Sequence, residues 1–136
     1  MANWIGSART NYFRVKDVDA FKTWAKAASL VVFEEDGRFG VYSEDEYGGW
    51  PEIVFDDDTT DAHRDFDIAH ELAQHVAEGE IVVCLEAGAE KLRYITGKAI
   101  AFKAVNGAAE TIGIALDDIY DLAQAKWGER PSAAEY

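Results

Sequence analysis

The chain has 136 residues, 49% of them apolar and 12% aromatic, and carries a net charge of −13. That length suits one domain, and the aromatic content sets it apart from acidic disordered chains. A body this acidic is a poor direct partner for nucleic acid or an anionic membrane, and no run approaches the ~18 apolar residues of a membrane span.

In chain order, Tyr12-Phe13-Arg14-Val15 alternates like a half-buried strand. Asp17 is placed to cap a helix to about Ala28, with Val18, Phe21, Trp24, Ala25 and Ala28 on one stripe. Leu30 to Phe33 and Arg38 to Tyr42 read as strands joined through Asp36-Gly37, the chemistry of a tight hairpin. Gly48-Gly49-Trp50-Pro51 breaks the chain, Glu52 to Phe55 reads as a short strand, and Asp56 to Asp61 as a solvated acidic loop. Ile68, Ala69, Leu72, Ala73 and Val76 give helical spacing between Asp65 and Glu78, with Gly79 as the stop. Strands follow over Glu80 to Leu85, Leu92 to Ala104 and Thr111 to Leu116, the last two joined through Asn106-Gly107. Asp117 then caps a helix with Ile119, Tyr120, Leu122, Ala123 and Trp127, and Arg130 to Tyr136 is expected to fray. Hairpins dominate and helices do not alternate with strands. The pattern predicts a single α+β domain over residues 1–136, a mostly antiparallel sheet with about three helices on one face.

Cys84 lies in the apolar run Ile81 to Leu85. As the only cysteine it excludes an intramolecular disulfide and predicts a small buried hydrophobe rather than a reactive thiol. No charged and apolar leader opens the chain, so the expectation is a cytosolic protein.

Most catalytic signatures are missing. His70 and His75 are five apart and diverge by roughly 140° on a helix, whereas zinc capture needs imidazoles one turn apart. His63, Asp67, His70 and Glu71 share a face, either as a loose cation site or as the polar side of an amphipathic helix. A calcium loop begun at Asp56 lacks its glycine and its closing glutamate, where Asp61 and Asp67 stand. No G-x-G-x-x-G, P-loop or G-x-S-x-G occurs. No cofactor and no metal is expected.

Charge is the strongest signal. From Glu34 to Asp67 thirteen carboxylates face only Arg38 and Arg64, a net of −11. The candidate partner-binding residues are Glu34, Glu35, Asp36, Glu44, Asp45, Glu46, Glu52, Asp56, Asp57, Asp58, Asp61, Asp65 and Asp67. Trp50 sits among them, as a core plug or as an interface anchor rimmed by charge. Glu86 to Tyr94 places two acids and two bases around a tight connection.

Three pieces carry a resemblance: Trp4-Ile-Gly-Ser-Ala-Arg9-Thr10-Asn11-Tyr12-Phe13-Arg14-Val15, Asp36-Gly-Arg-Phe39-Gly40, and Glu86-Ala-Gly88-Ala-Glu90-Lys91-Leu92-Arg93-Tyr94-Ile-Thr-Gly97. Together they resemble a family of small proteins of phages, plasmids and other mobile elements. The resemblance implies a genomic neighbourhood rather than a reaction, and by analogy an anti-defence role. It marks Arg9, Asn11, Glu86, Glu90, Lys91 and Arg93 as a possible shared site.

The expected function is therefore a non-catalytic acidic protein that mimics nucleic-acid charge on the basic surface of a nuclease of host defence or another DNA-binding protein. The alternatives are an immunity protein for a cationic nuclease toxin, and a metal-dependent or small-molecule enzyme using the Glu86 to Arg93 region.

Overall fold

A computed structural model describes residues 4–44, 48–51, 53–55, 63–91 and 93–134, with the backbone alone for 53–55, 63 and 64. The elements are β1 (Ile5–Thr10), α1 (Val18–Ala27), β2 (Leu30–Glu35), β3 (Arg38–Ser43), β4 (Ile53–Phe55), β5 (His63–Asp65), α2 (Ile68–Leu72), β6 (Ile81–Glu90), β7 (Tyr94–Val105), β8 (Ala108–Ala115) and α3 (Asp118–Trp127). Six strands form one antiparallel sheet in the order β2-β3-β1-β6-β7-β8, and β4 pairs with β5 separately. The domain is α+β, as expected. Among the described residues no helix is long and apolar enough to cross a membrane.

Both predicted two-residue turns close their hairpins. Asp36 and Gly37 have φ of 53° and 78°, and Asn106 and Gly107 have 54° and 75°. Two successive left-handed residues match the right-handed twist of the flanking strands, and Asp, Asn and Gly tolerate that conformation best. Register follows from the turns: Glu35 faces Arg38, and Val105 faces Ala108.

The core lies between one sheet face and the helices α1 and α2. Asp17 caps α1 by accepting from the Ala20 N–H at 3.1 Å. The helix turns Phe21, Ala25 and Ala28 onto the sheet, where they meet Phe39, Val41, Val82 and Phe102. Asp67 caps α2 by accepting from the His70 N–H. The expected apolar set Ile68, Ala69, Leu72, Ala73 and Val76 is all buried.

Two departures from the sequence expectation have physical causes. The N-terminal strand is Ile5–Thr10, not the Tyr12 to Val15 segment, which touches the sheet only through isolated bridges at Phe13 and Val15. β1 was hidden because its core side carries only Gly6, Ala8 and Thr10, too small to mark an apolar alternation. α2 is shorter than the spacing suggests. Past Leu72 the chain tightens into a turn and then pairs with the segment after β1, with Lys16 N–H donating to the His75 carbonyl and Ala77 N–H to the Arg14 carbonyl. Gly79 accordingly serves the turn into β6 rather than a helix end. Residues 130–134 lie back against α3: Arg130 pairs with Asp121 at 2.6 Å, and the Ala134 N–H donates to the Tyr120 hydroxyl.

His75 gives this core a pH dependence. Its ring lies 5.1 Å from the Trp24 ring and 6.4 Å from that of Phe21. Burial holds its pKa below the ordinary value of 6.5, helped by Lys16 and opposed by Glu71 and Asp17. Above pH 6.5 the ring is neutral in both folded and unfolded chains. Below it the unfolded chain takes up the proton first, so stability falls as pH drops through that value toward the lower folded pKa. The urea midpoint is expected to decrease between pH 7.5 and 5.5, and by less in His75→Phe.

Candidate functional site

Of the acidic candidates, Asp45, Glu46, Glu52, Asp56, Asp57, Asp58 and Asp61 lie outside the described residues. Four of the others lie at two places. Glu34, Glu35 and Asp36 are exposed at the tip of the β2–β3 hairpin, on one edge of the sheet. Asp67 lines an open groove of about 470 Å³ together with His70, Thr111 and Gly113, beside β8 on the opposite edge. Five interstrand steps of ~4.8 Å separate those edges by about 24 Å. The described acids therefore bracket the sheet and do not form one compact spot.

They are also unneutralised. Among the described residues the ion pairs are Glu86–Lys98 and Asp121–Arg130, and neither involves the acidic segment. Glu44 and Asp65 are exposed as well.

Trp50 takes the first of its two readings. It is half-buried and packs against the core, and its backbone N–H donates to Glu86 Oε2 at 2.6 Å. It is a plug held by a carboxylate rather than a free anchor, because the two preceding glycines let the loop close onto the sheet end.

The six residues marked by the resemblance do not converge. Asn11 extends the β1–β6 ladder: its Oδ1 accepts from the Val83 N–H at 2.8 Å and its Nδ2 donates to the Ile81 carbonyl. Glu90, Lys91 and Arg93 sit at the far end, around the turn between β6 and β7. Seven residue steps along β6 lead from Val83 to Glu90, about 23 Å of strand. Arg9 lies on the sheet face away from the helices, its guanidinium 4.8 Å from the Phe33 ring centroid. Arg93 covers the Tyr94 ring.

Glu86 is the one member with an interior role. β6 runs on to Glu90, so Glu86 is a mid-strand residue rather than part of a turn. Its carboxylate binds the Trp50 N–H and pairs with Lys98 at 3.5 Å. Nearby, Gly6 and Gly88 face each other across β1 and β6 and the Trp4 indole lies over both. The indole N–H donates to Thr96 Oγ1 at 2.7 Å. The Trp-x-Gly and Glu-x-Gly spacings thus build a lid on the sheet end.

Loss of Glu86 is expected to be costly. Glu86→Ala leaves the Trp50 amide without its acceptor and lowers stability by about 1–3 kcal/mol, whereas Glu86→Gln keeps a carbonyl in place and loses less. Urea denaturation of both variants, followed by tryptophan emission, checks the difference. The Lys98 end is well exposed and adds little.

The helix-face group separates too. Asp67 is committed as a cap, Trp24 Nε1 donates to Glu71 at 3.0 Å, and only the backbone of His63 is described. Among the described residues no three His, Cys, Asp or Glu side chains gather as metal ligands. Cys84 is buried at the sheet centre, and burial raises its thiol pKa to about 12.

No protein-family model matches this chain, and no curated protein or solved structure is similar to it at a significant level.

Proposed function

We propose that the protein is a non-catalytic acidic binding protein, which offers its carboxylates to a basic, nucleic-acid-binding surface of another protein. What carries this reading is the availability of the charge. Glu34, Glu35, Asp36, Glu44 and Asp65 are exposed and engage no lysine or arginine among the described side chains. Acids reserved for internal pairing would be held in ion pairs, as Asp121 and Glu86 are, whereas even Glu35, opposite Arg38 across the hairpin, is not.

The spread across the sheet suits a linear cationic groove better than a round one. A width of about 24 Å matches some seven phosphate steps of one DNA strand at ~3.4 Å each. A groove shaped for such a strand would be steered to this edge-to-edge charge and occupied by it. The anti-defence setting suggested by the mobile-element resemblance fits a partner of this kind, a restriction or CRISPR-type nuclease among them.

Mixing the chain 1:1 with a basic nuclease at low and at high salt tests this function. Binding is expected to weaken by about tenfold or more as ionic strength rises through the range where the Debye length falls below ~8 Å. A Glu34→Gln/Glu35→Gln/Asp36→Asn variant and an Asp56/Asp57/Asp58 triple-Asn variant should each weaken it at low salt. Binding indifferent to salt and to both variants would defeat the proposal.

The same crowding of charge acts on the free protein. Thirteen like charges within 34 residues repel each other, and any confinement of the segment on folding raises that repulsion above its value in the extended chain. Added salt is therefore expected to raise the melting temperature, with single Asp→Asn changes at Asp56, Asp57 or Asp58 neutral or mildly stabilising. Thermal scans across ionic strength check this.

A further inference from the structure

Helices α1 and α2 both cover one face of the sheet, and among the described residues nothing comparable covers the other. Strand register fixes which side chains stand there. Ala89 lies between Ile5 and Ile95, and Ala99 between Leu85 and Ile114. The four bulky residues are 48% to 71% exposed. The small positions step from Ala89 on β6 through Ala87 and Gly97 to Ala99 on β7, so a shallow apolar trough crosses the two strands obliquely between branched side chains. Leu116 follows over Gly97 in the same row and remains half exposed.

The element that leaves this edge repeats the anomaly. α3 makes no more than marginal contact with any strand or other helix. Its Ile119 and Leu122 lie one turn apart and Trp127 stands about 140° round the helix from Leu122, and each is 60% or more exposed. A ten-residue helix with no surface to pack on is marginal in water. One chain thus carries both an uncovered apolar sheet face and a helix with exposed apolar side chains, and it does not bring them together.

We infer that two copies of this chain associate through the uncovered sheet face, with α3 of each lying in the trough of the other. Area favours the pairing. Ten exposed Ile, Leu and Trp side chains on this face and on α3, at about 100 Å² each, offer roughly 1,000 Å² of apolar surface per copy. That exceeds the ~300–600 Å² patch of an ordinary monomer and reaches the ~800 Å² per partner of a stable complex.

Charge favours it too. Residues 81–115 hold three acids and four bases, a net of +1, and residues 117–130 hold four acids and two bases, a net of −2. The strands and the helix are therefore mildly complementary, while the −11 of residues 34–67 belongs to other parts of the chain. Reciprocal placement of the two helices closes the assembly at two copies, since each helix and each trough is used once.

The experiment is sedimentation equilibrium of the full chain at about 100 μM and at dilutions well below it, a range that captures a micromolar association. The expected mass at the higher concentration is twice the 15.1 kDa of one chain. Leu122→Glu alters only the helix and Ile114→Glu only the trough. Each is expected to weaken association at least tenfold while leaving the circular dichroism of the domain unchanged. Should Ile114→Glu fail to fold, the exposed helix variant decides the matter by itself. A 15.1 kDa particle at every concentration, or a dimer equally stable in Leu122→Glu, would overturn the inference. Because the acidic residues are untouched in both variants, failure here leaves salt-dependent partner binding to be judged separately.

Discussion

Replacing Phe21 by alanine is expected to cost about 3–5 kcal/mol, the largest effect of any single truncation proposed for this protein. Phe21 is fully buried on the inner face of α1. Its ring meets those of Phe13 at 5.8 Å, Phe39 at 5.7 Å and Trp24 at 6.1 Å. It therefore joins the helix to the segment after β1 and to β3 at one point. Removing it forfeits both the transfer energy of the ring and the contacts of the cavity left behind, which surrounding aromatic planes cannot easily collapse to fill. Against the ~5–15 kcal/mol of a typical domain such a loss brings the fold close to its threshold. Urea denaturation at pH 7.5 measures it, with Val18→Ala, on the 40% exposed end of the same helix, expected to change little. A midpoint shift in Phe21→Ala no larger than that of Val18→Ala would contradict the packing described.

Gly88→Val is expected to destabilise by about 3 kcal/mol through the opposite fault, too much volume. A Cβ on Gly88 would stand 2.5 Å from the Ile5 carbonyl oxygen, 2.5 Å from the Trp4 indole and 2.6 Å from the Gly6 Cα. Two of those three neighbours are backbone, so no rotamer change relieves the clash and the end of the β1–β6 ladder must open. The indole then loses its bond to Thr96 and its cover. The variant should show a lower urea midpoint together with red-shifted tryptophan emission in the native baseline. A shifted midpoint with unchanged emission would mean that Trp4 does not lie over the sheet end. Gly113→Ala serves as a control, since a Cβ there meets only the Ala99 carbonyl at 3.3 Å and part of Ile100.

These two sites differ in how far the chain alone reveals them. Phe21 is legible: Asp17 as a cap and the spacing of Phe21, Trp24, Ala25 and Ala28 announce both the helix and its buried face. The hairpin turns at Asp36-Gly37 and Asn106-Gly107 are legible for the same reason, because few dipeptides tolerate two left-handed residues. Gly88 is not. Its demand for an absent side chain comes from β1, some eighty residues earlier in the chain, and β1 itself has no apolar alternation to betray it.

The candidate site divides along the same line. The concentration of charge between Glu34 and Asp67 is a fact of composition and needs no fold. Its distribution is not: Glu34 to Asp36 and Asp67 reach opposite sheet edges because β2 and β8 happen to be the outermost strands. Glu86 reads in the chain as one member of a polar turn. Continuation of β6 past it turns the carboxylate inward to hold Trp50.

Much of the local chemistry, then, was determined by the chain alone: the Asp17 cap, the two tight turns, the buried faces of α1 and α2, and where the acid lies, whereas Asp117 makes no side-chain capping bond at α3 and the apolar residues of that helix stay exposed. Those choices depend on neighbours within a few positions, where backbone sterics and side-chain spacing act directly. The pairing of β1 with β6, the lid formed by Trp4 and the bare apolar face beside α3 were decided only in three dimensions. Each depends on segments far apart in the chain, whose meeting is set by the total burial the sheet can achieve and not by any local preference.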